Sequence, residues 1–166
     1  MHGTPLMLAW FVFANLTFLI GSIRWFKYSF IVHLILGLTV LGLTLLGTVH
    51  VILEGGIDVP EGTGPRFQKI HNIIGLVVTI WVGIQALTGL AARIIQYYEI
   101  VSPFFCYWTK RVHWISSYGI MLFAKFNYMI INYRRHKYGR ITFYILVDLL
   151  FLMAYFLLKF KYWNFS

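Results

Sequence analysis

Five long apolar runs occupy most of this 166-residue chain, and they constrain its fold more than any other feature. They extend from about His2 to Ile23, Phe26 to Leu53, Phe67 to Ile95, Pro103 to Tyr133 and Ile141 to Phe160. A helix needs roughly 20 apolar residues to cross a bilayer, and each run is long enough. Backbone polar groups in lipid must be satisfied within the segment, which predicts helices rather than open strands. Composition agrees. Only 11% of residues are charged and mean hydropathy is +0.74, whereas a soluble domain carries about 25% charged residues. A water-soluble enzyme or nucleic-acid binder is excluded on that ground. The net charge of +9 comes from basic residues between apolar runs, as in the loops of membrane proteins.

The runs are separated by clear breaks. Arg24, Trp25 and Lys27 lie between the first two, and a Gly/Pro/acid stretch over 54–65 follows the second. Residues 97–102 separate the third from the fourth, and a basic stretch over 134–140 precedes the fifth. No secretory signal is visible at the start, and no fixed-period repeat is evident. Residues 1–166 are expected to form one all-α membrane unit of five transmembrane helices.

An odd number of spans puts the two ends on opposite sides. Side A holds the N-terminus, and side B holds the turn at Arg24 and the C-terminus. Side B collects Arg24, Lys27, Arg93, Lys110, Arg111, Lys159 and Lys161. Side A collects Arg66, Lys69, Arg134, Arg135, Lys137 and Arg140. The small excess assigns B to the cytoplasmic or matrix side.

Ionisable residues inside a span are costly and point to function. His2 and His71 fall near side A on the first and third runs. His33 and His113 fall near side B on the second and fourth. Each pair joins alternate helices, which face each other diagonally in a four-helix bundle. Facing neutral imidazoles suit axial ligation of a haem iron. His33, His71 and His113 are followed four residues later by Gly37, Gly75 and Ser117. Positions i and i+4 share a helix face, so a small residue there leaves room for a flat macrocycle. The plainer alternative is that these histidines only bond to neighbouring helices, and zinc is the weaker reading, because it wants three or four ligands together. The single cysteine, Cys106, excludes covalent attachment through a CxxCH motif.

Four other features stand out. His50 ends the second run on side A, either as a group at a substrate pocket or as a histidine hydrated at the headgroups. His33 and His50 are separated by 17 residues, or roughly 25 Å of helix, enough to place one haem near each face. Lys125 and Asp148 lie about equally far from the 134–140 stretch and are expected to meet. Trp10, Trp81, Tyr118 and Phe123 are candidates for packing or for an electronic bridge.

At these residues the chain resembles the cytochrome b561 family, above all the b561 module that in other proteins follows a DOMON domain. The resemblance rests on HGTPLMLAW from His2, IGSIRWF around Arg24, HLILGLTVLG from His33, HNIIG from His71 and YWTKRVHWISSYG around His113. It implies a four-helix di-haem bundle with one peripheral helix and two non-covalent b haems. The haem-binding set would be His2, His71, His33 and His113 with Gly37, Gly75 and Arg24. It also implies electron transfer from ascorbate, or another small donor, to monodehydroascorbate or a ferric chelate. Arg24, Lys27, Lys110 and Arg111 would hold the anionic donor on side B, and His50 would stand near the far-side acceptor.

The chain departs from the family in three respects. Members usually have six spans, and the helix that precedes the first histidine has no counterpart here. His2 directly follows Met1. The HxxxG pattern becomes HxxxS at His113. The expected partners are therefore membrane lipid, a small donor and acceptor, and other subunits of a membrane complex or a second copy, with no nucleic acid. The alternative function is an accessory subunit of a larger, respiratory-type assembly. The expected location is a multi-pass position in an endomembrane, plasma membrane or mitochondrial inner membrane.

Overall fold

The fold is described by a computed structural model, covering residues 3–23, 27–53, 65–98, 102–134 and 136–163. Five helical rods match the five apolar runs. α1 covers Gly3–Ile23 and contains a π-helical stretch at Leu8–Phe13. α2 is Ser29–Leu53, α3 is Pro65–Tyr97, α4 is Pro103–Arg134 and α5 is Tyr138–Trp163. Pro65 and Pro103 begin their helices, where a missing N–H costs nothing. The carbonyl of Ser102 takes the first bonds of α4, from the amides of Phe105 and Cys106. α4 ends in a Schellman motif. Lys137 donates to the Asn132 carbonyl and His136 to that of Tyr133, with His136 in the left-handed region at φ 53°. This motif turns the chain sharply into α5.

Four helices are long and apolar enough to cross a membrane: Gly3–Ile23, Ser29–Leu53, Ile70–Tyr97 and Tyr138–Lys161. They fit a multi-pass membrane protein. Large apolar side chains also cover the outside, among them Leu46, Leu87, Leu122 and Phe156, as lipid-facing surfaces require. α4 is the exception to the expectation of five apolar spans. It has 32 residues, but Lys110, Arg111, Lys125, Asn127 and Asn132 dilute its apolar character.

The packing is a ring. α1 lies against α2, α2 against α3, α3 against α4, and α4 against α1, so α1 faces α3 and α2 faces α4 across the diagonals. α5 lies outside this ring, against α1 and α4. The core gathers around the π-helical stretch of α1. There Ala9, Trp10 and Phe11 are buried with Val40, Val78, Val82, Ile120, Ala124 and Tyr144.

Lys125 and Asp148 do meet. Lys125 Nζ lies 2.6 Å from Asp148 Oδ1, and its side chain is 8% exposed. Asn15 of α1 completes the node. Lys125 donates to Asn15 Oδ1 at 2.8 Å, while Asn15 Nδ2 donates to Asp148 at 2.8 Å and to the Phe11 carbonyl at 3.0 Å. Lys125 also sits over the Phe11 ring, 5.4 Å from its centre. Removing one member of a buried ion pair costs more than replacing both. Asp148→Leu is therefore expected to destabilise the fold by about 3 kcal/mol, and the Lys125→Leu/Asp148→Leu pair to recover much of that loss. Thermal unfolding of the parent chain and the two variants in detergent checks this.

Candidate functional site

His33 of α2 and His113 of α4 face each other across the bundle diagonal. Their ring centres are 6.4 Å apart and their planes make 71°. Two imidazoles bound on opposite sides of one metal ion, each at about 2.1 Å with about 1 Å more from nitrogen to ring centre, have centres roughly 6 Å apart. Each ring binds through one nitrogen, so a twist between the planes is tolerated. The separation of the two centres is close to that figure, and the rings meet edge to face.

Each ring is positioned by the helix that precedes its own. His33 Nδ1 lies 2.8 Å from the Thr17 carbonyl of α1. The same ring rests on Gly21, where a Cβ would come within 2.6 Å of it. His113 Nδ1 lies 2.9 Å from the side-chain nitrogen of Gln85 on α3. That ring rests on Gly89, where a Cβ would come within 2.7 Å. The polar holder and the glycine are four residues apart in both cases, hence on one helix face.

The two hairpins thus repeat one another. The buried faces of α2 and α4 agree as well. Val40, Thr44 and Gly47 follow His33 at the same spacings as Ile120, Ala124 and Asn127 follow His113, and all six are buried. A fixed-period scan misses this repeat because the connections differ in length. His33 follows Gly21 by twelve residues and His113 follows Gly89 by twenty-four.

The side-A half is held differently. His2 and Arg24 lie outside the described residues, so their expected roles are not placed. His71 Nδ1 lies 2.8 Å from Asn127 Oδ1 of α4, and Asn127 Nδ2 donates to the His71 carbonyl at 3.3 Å. Thr48 and Thr79 bridge α2 and α3 at 2.8 Å. His50 is half-buried near the end of α2. Gln85 follows His71 by fourteen residues on α3, and Asn127 follows His113 by fourteen on α4. The two histidine levels are therefore roughly 21 Å apart along both helices. Trp81 lies between them. Its indole N–H donates to Ser116 at 2.7 Å, and its ring is 6.1 Å from that of Phe123.

Other expected site residues are distributed as follows. A Cβ at Gly37 would meet Thr17 at 3.9 Å and one at Gly75 would meet Asn127 at 3.7 Å, both ordinary contacts. Lys27 is exposed, Lys110 is half-buried, and Arg111 is exposed and bonded to Tyr107 at 2.8 Å. Arg93 crosses from α3 to lie over Phe30 of α2, 4.7 Å from its centre. Among the described residues no three His, Cys, Asp or Glu side chains gather as a metal site. The residues that sequence reasoning missed are Gln85, Gly21, Gly89 and the Thr17 carbonyl. Only the first carried a signal, as a lone amide in an apolar run.

Compared with known proteins, the chain matches no family model, no curated protein and no solved structure. The close approaches give a direct test of the site. Gly21→Ala and Gly89→Ala are each expected to displace a ring and cost about 1–3 kcal/mol. Gly42→Ala and Gly83→Ala meet nothing within 4 Å and are expected to be neutral or stabilising. Thermal unfolding of the four variants separates the two classes.

Proposed function

We propose that the chain is a transmembrane electron carrier that holds b-type haem between paired histidines of a four-helix bundle. The observation that carries this reading is the His33–His113 pair, whose ring centres lie 6.4 Å apart on diagonally placed helices, close enough for both to hold one metal ion. The supporting pattern is the resemblance to cytochrome b561 and the second histidine level at His71. A bound b haem supplies a one-electron iron couple whose potential depends on its axial ligands, its burial and nearby charge.

The chain's own residues have distinct tasks in this reading. His33 and His113 would hold the haem, and Gly21 and Gly89 let their rings sit against neighbouring helices. His71, oriented by Asn127, serves the side-A level with His2 as its expected partner. Trp81, held by Ser116, occupies the space between the levels and helps exclude water from it. α4 crosses the membrane despite its polar residues, because Lys125, Asn127 and Asn132 find partners inside the protein. Lys27, Arg93, Lys110 and Arg111 make the side-B end cationic, and Arg24 is expected to join them. That charge favours an anionic donor such as ascorbate. Electrons then run from side B to side A, towards monodehydroascorbate or a ferric chelate.

A pyridine haemochrome assay on the purified protein tests the reading. Two b haems per chain, reduced by ascorbate, are expected. His33→Ala and His113→Ala should each remove the same haem and leave the other. Haem that ascorbate leaves oxidised would reassign the protein to an accessory role inside a larger membrane complex. Absence of haem from well-folded protein would end the electron-transfer proposal.

A further inference from the structure

The two members of the His33–His113 pair are held by different chemistry. The Thr17 carbonyl can only accept, so His33 carries its proton on Nδ1 and its lone pair on Nε2. At the equivalent place on the second hairpin stands the Gln85 side chain, which has a donor end and an acceptor end. Its amide nitrogen lies 2.6 Å from the His113 carbonyl and 2.9 Å from His113 Nδ1, and it also contacts Ser117 Oγ. Ser117 Oγ in turn donates to the same carbonyl at 2.8 Å. The amide nitrogen has two hydrogens to share among these three neighbours and does not itself accept, so a bare Nδ1 suits that place and the ring proton belongs on Nε2. That is the nitrogen that ligation through Nε2 requires to be bare.

Half a turn of the amide about its last bond exchanges its nitrogen for its oxygen. The oxygen then accepts from Nδ1–H, and the lone pair moves to Nε2. The turn sets the amide oxygen against the His113 carbonyl oxygen, so the amide has to draw back from it, while that carbonyl keeps the Ser117 hydroxyl as a donor. The nitrogen-in arrangement thus suits the unligated ring, and the oxygen-in arrangement suits the ligated one. Gln85 is buried, so water does not take over either role.

We propose that Gln85 is the positioning residue of this site, the orientation of its amide selecting the His113 tautomer and so deciding whether His113 is ready to bind metal. The proposal rests on the haem reading for its consequence, though the tautomer itself does not depend on it. Groups that accept a histidine's second N–H fix the ring and raise its basicity, and losing one typically costs 10–100-fold in metal affinity.

Two variants and two measurements test it. Gln85→Glu offers only acceptors, and Gln85→Met offers neither donor nor acceptor. Gln85→Met is expected to weaken haem binding at the His33–His113 site by about 10–100-fold. Gln85→Glu is expected to keep that haem and shift its midpoint potential to more negative values. The side-A haem should be unchanged in both and reports intact folding. Equal affinity and potential in all three proteins would overturn the proposal, as would identical shifts in the two variants, which simple helix-to-helix adhesion gives. Histidine 15N spectra of the haem-free full chain, with the His113 signal identified by its loss in His113→Gln, supply the second measurement. An Nε2–H tautomer is expected in the parent chain and an Nδ1–H tautomer in Gln85→Glu. The same tautomer in both would overturn the proposal. Failure of the parent chain to bind haem would instead overturn the electron-transfer reading and leave the tautomer result standing.

Discussion

An imidazole carried into the interior of an apolar helix bundle brings one N–H and one lone pair with it, and water is not at hand to satisfy either. A partner on a neighbouring helix does so, and each of the three half-buried histidines has one. His33 uses a carbonyl of α1, His113 an amide of α3 and His71 an amide of α4. Unsatisfied groups in such surroundings cost several kcal/mol, on the order of a whole helix contact. These bonds therefore fix the rotation of each helix about its axis. Once α1 and α2 are locked by Thr17 and His33, and α3 and α4 by Gln85 and His113, the diagonal rings have little freedom left. The facing geometry follows from satisfying the Nδ1 atoms.

The glycines belong to the same logic. A helix can offer a carbonyl or an amide to a ring on its neighbour only if the two backbones come close. One turn beyond each polar holder, at Gly21 and Gly89, even a methyl group would collide with the imidazole. The HxxxG spacing within a single run draws attention to the glycine that follows a histidine on its own helix. The contacts that seat the rings come from the adjacent, preceding helix, and no spacing within one run reveals them. The helices themselves were legible because lipid leaves few alternatives to a helix for a long apolar run. The Lys125–Asp148 contact was legible because a short turn places residues at matched distances on either side of it at one depth. Asn15 was not, since nothing near it in sequence ties it to residues more than a hundred positions away. The polar load of α4 follows from the same cause, Lys125 and Asn127 being directed to partners on three other helices and Asn132 to a carbonyl of α4 itself.

The repeat of the two hairpins was hidden by their connections, yet it explains where the protein is symmetric and where it is not. Thr17, Gly21 and His33 correspond to Gln85, Gly89 and His113. One more difference between the halves lies upstream of these residues. His2 precedes Thr17 by fifteen residues, whereas His71 precedes Gln85 by fourteen. The π-helical stretch Leu8–Phe13 lies in that longer interval, and a π turn accommodates one residue more than an α turn. That stretch puts its wider turn among the most buried side chains of α1.

The fifth helix is what breaks the repeat. It docks in the groove between α1 and α4, where Asn15 and Lys125 meet Asp148. By the correspondence of the hairpins, the matching groove lies between α3 and α2, and the positions equivalent to Asn15 and Lys125 are Gly83 and Leu45. Gly83 has open space where a Cβ would stand, and Leu45 is exposed. Lipid chains can cover such a surface at no polar cost, whereas a lysine and an asparagine in the same places would require a partner. The node therefore acts as an address for α5. An apolar helix gains little from leaving lipid for an apolar groove, because the tails are as apolar as the groove. A charged pair that closes only when α5 occupies one groove distinguishes that groove from its equivalent, and gives a fold built on two similar hairpins a single arrangement.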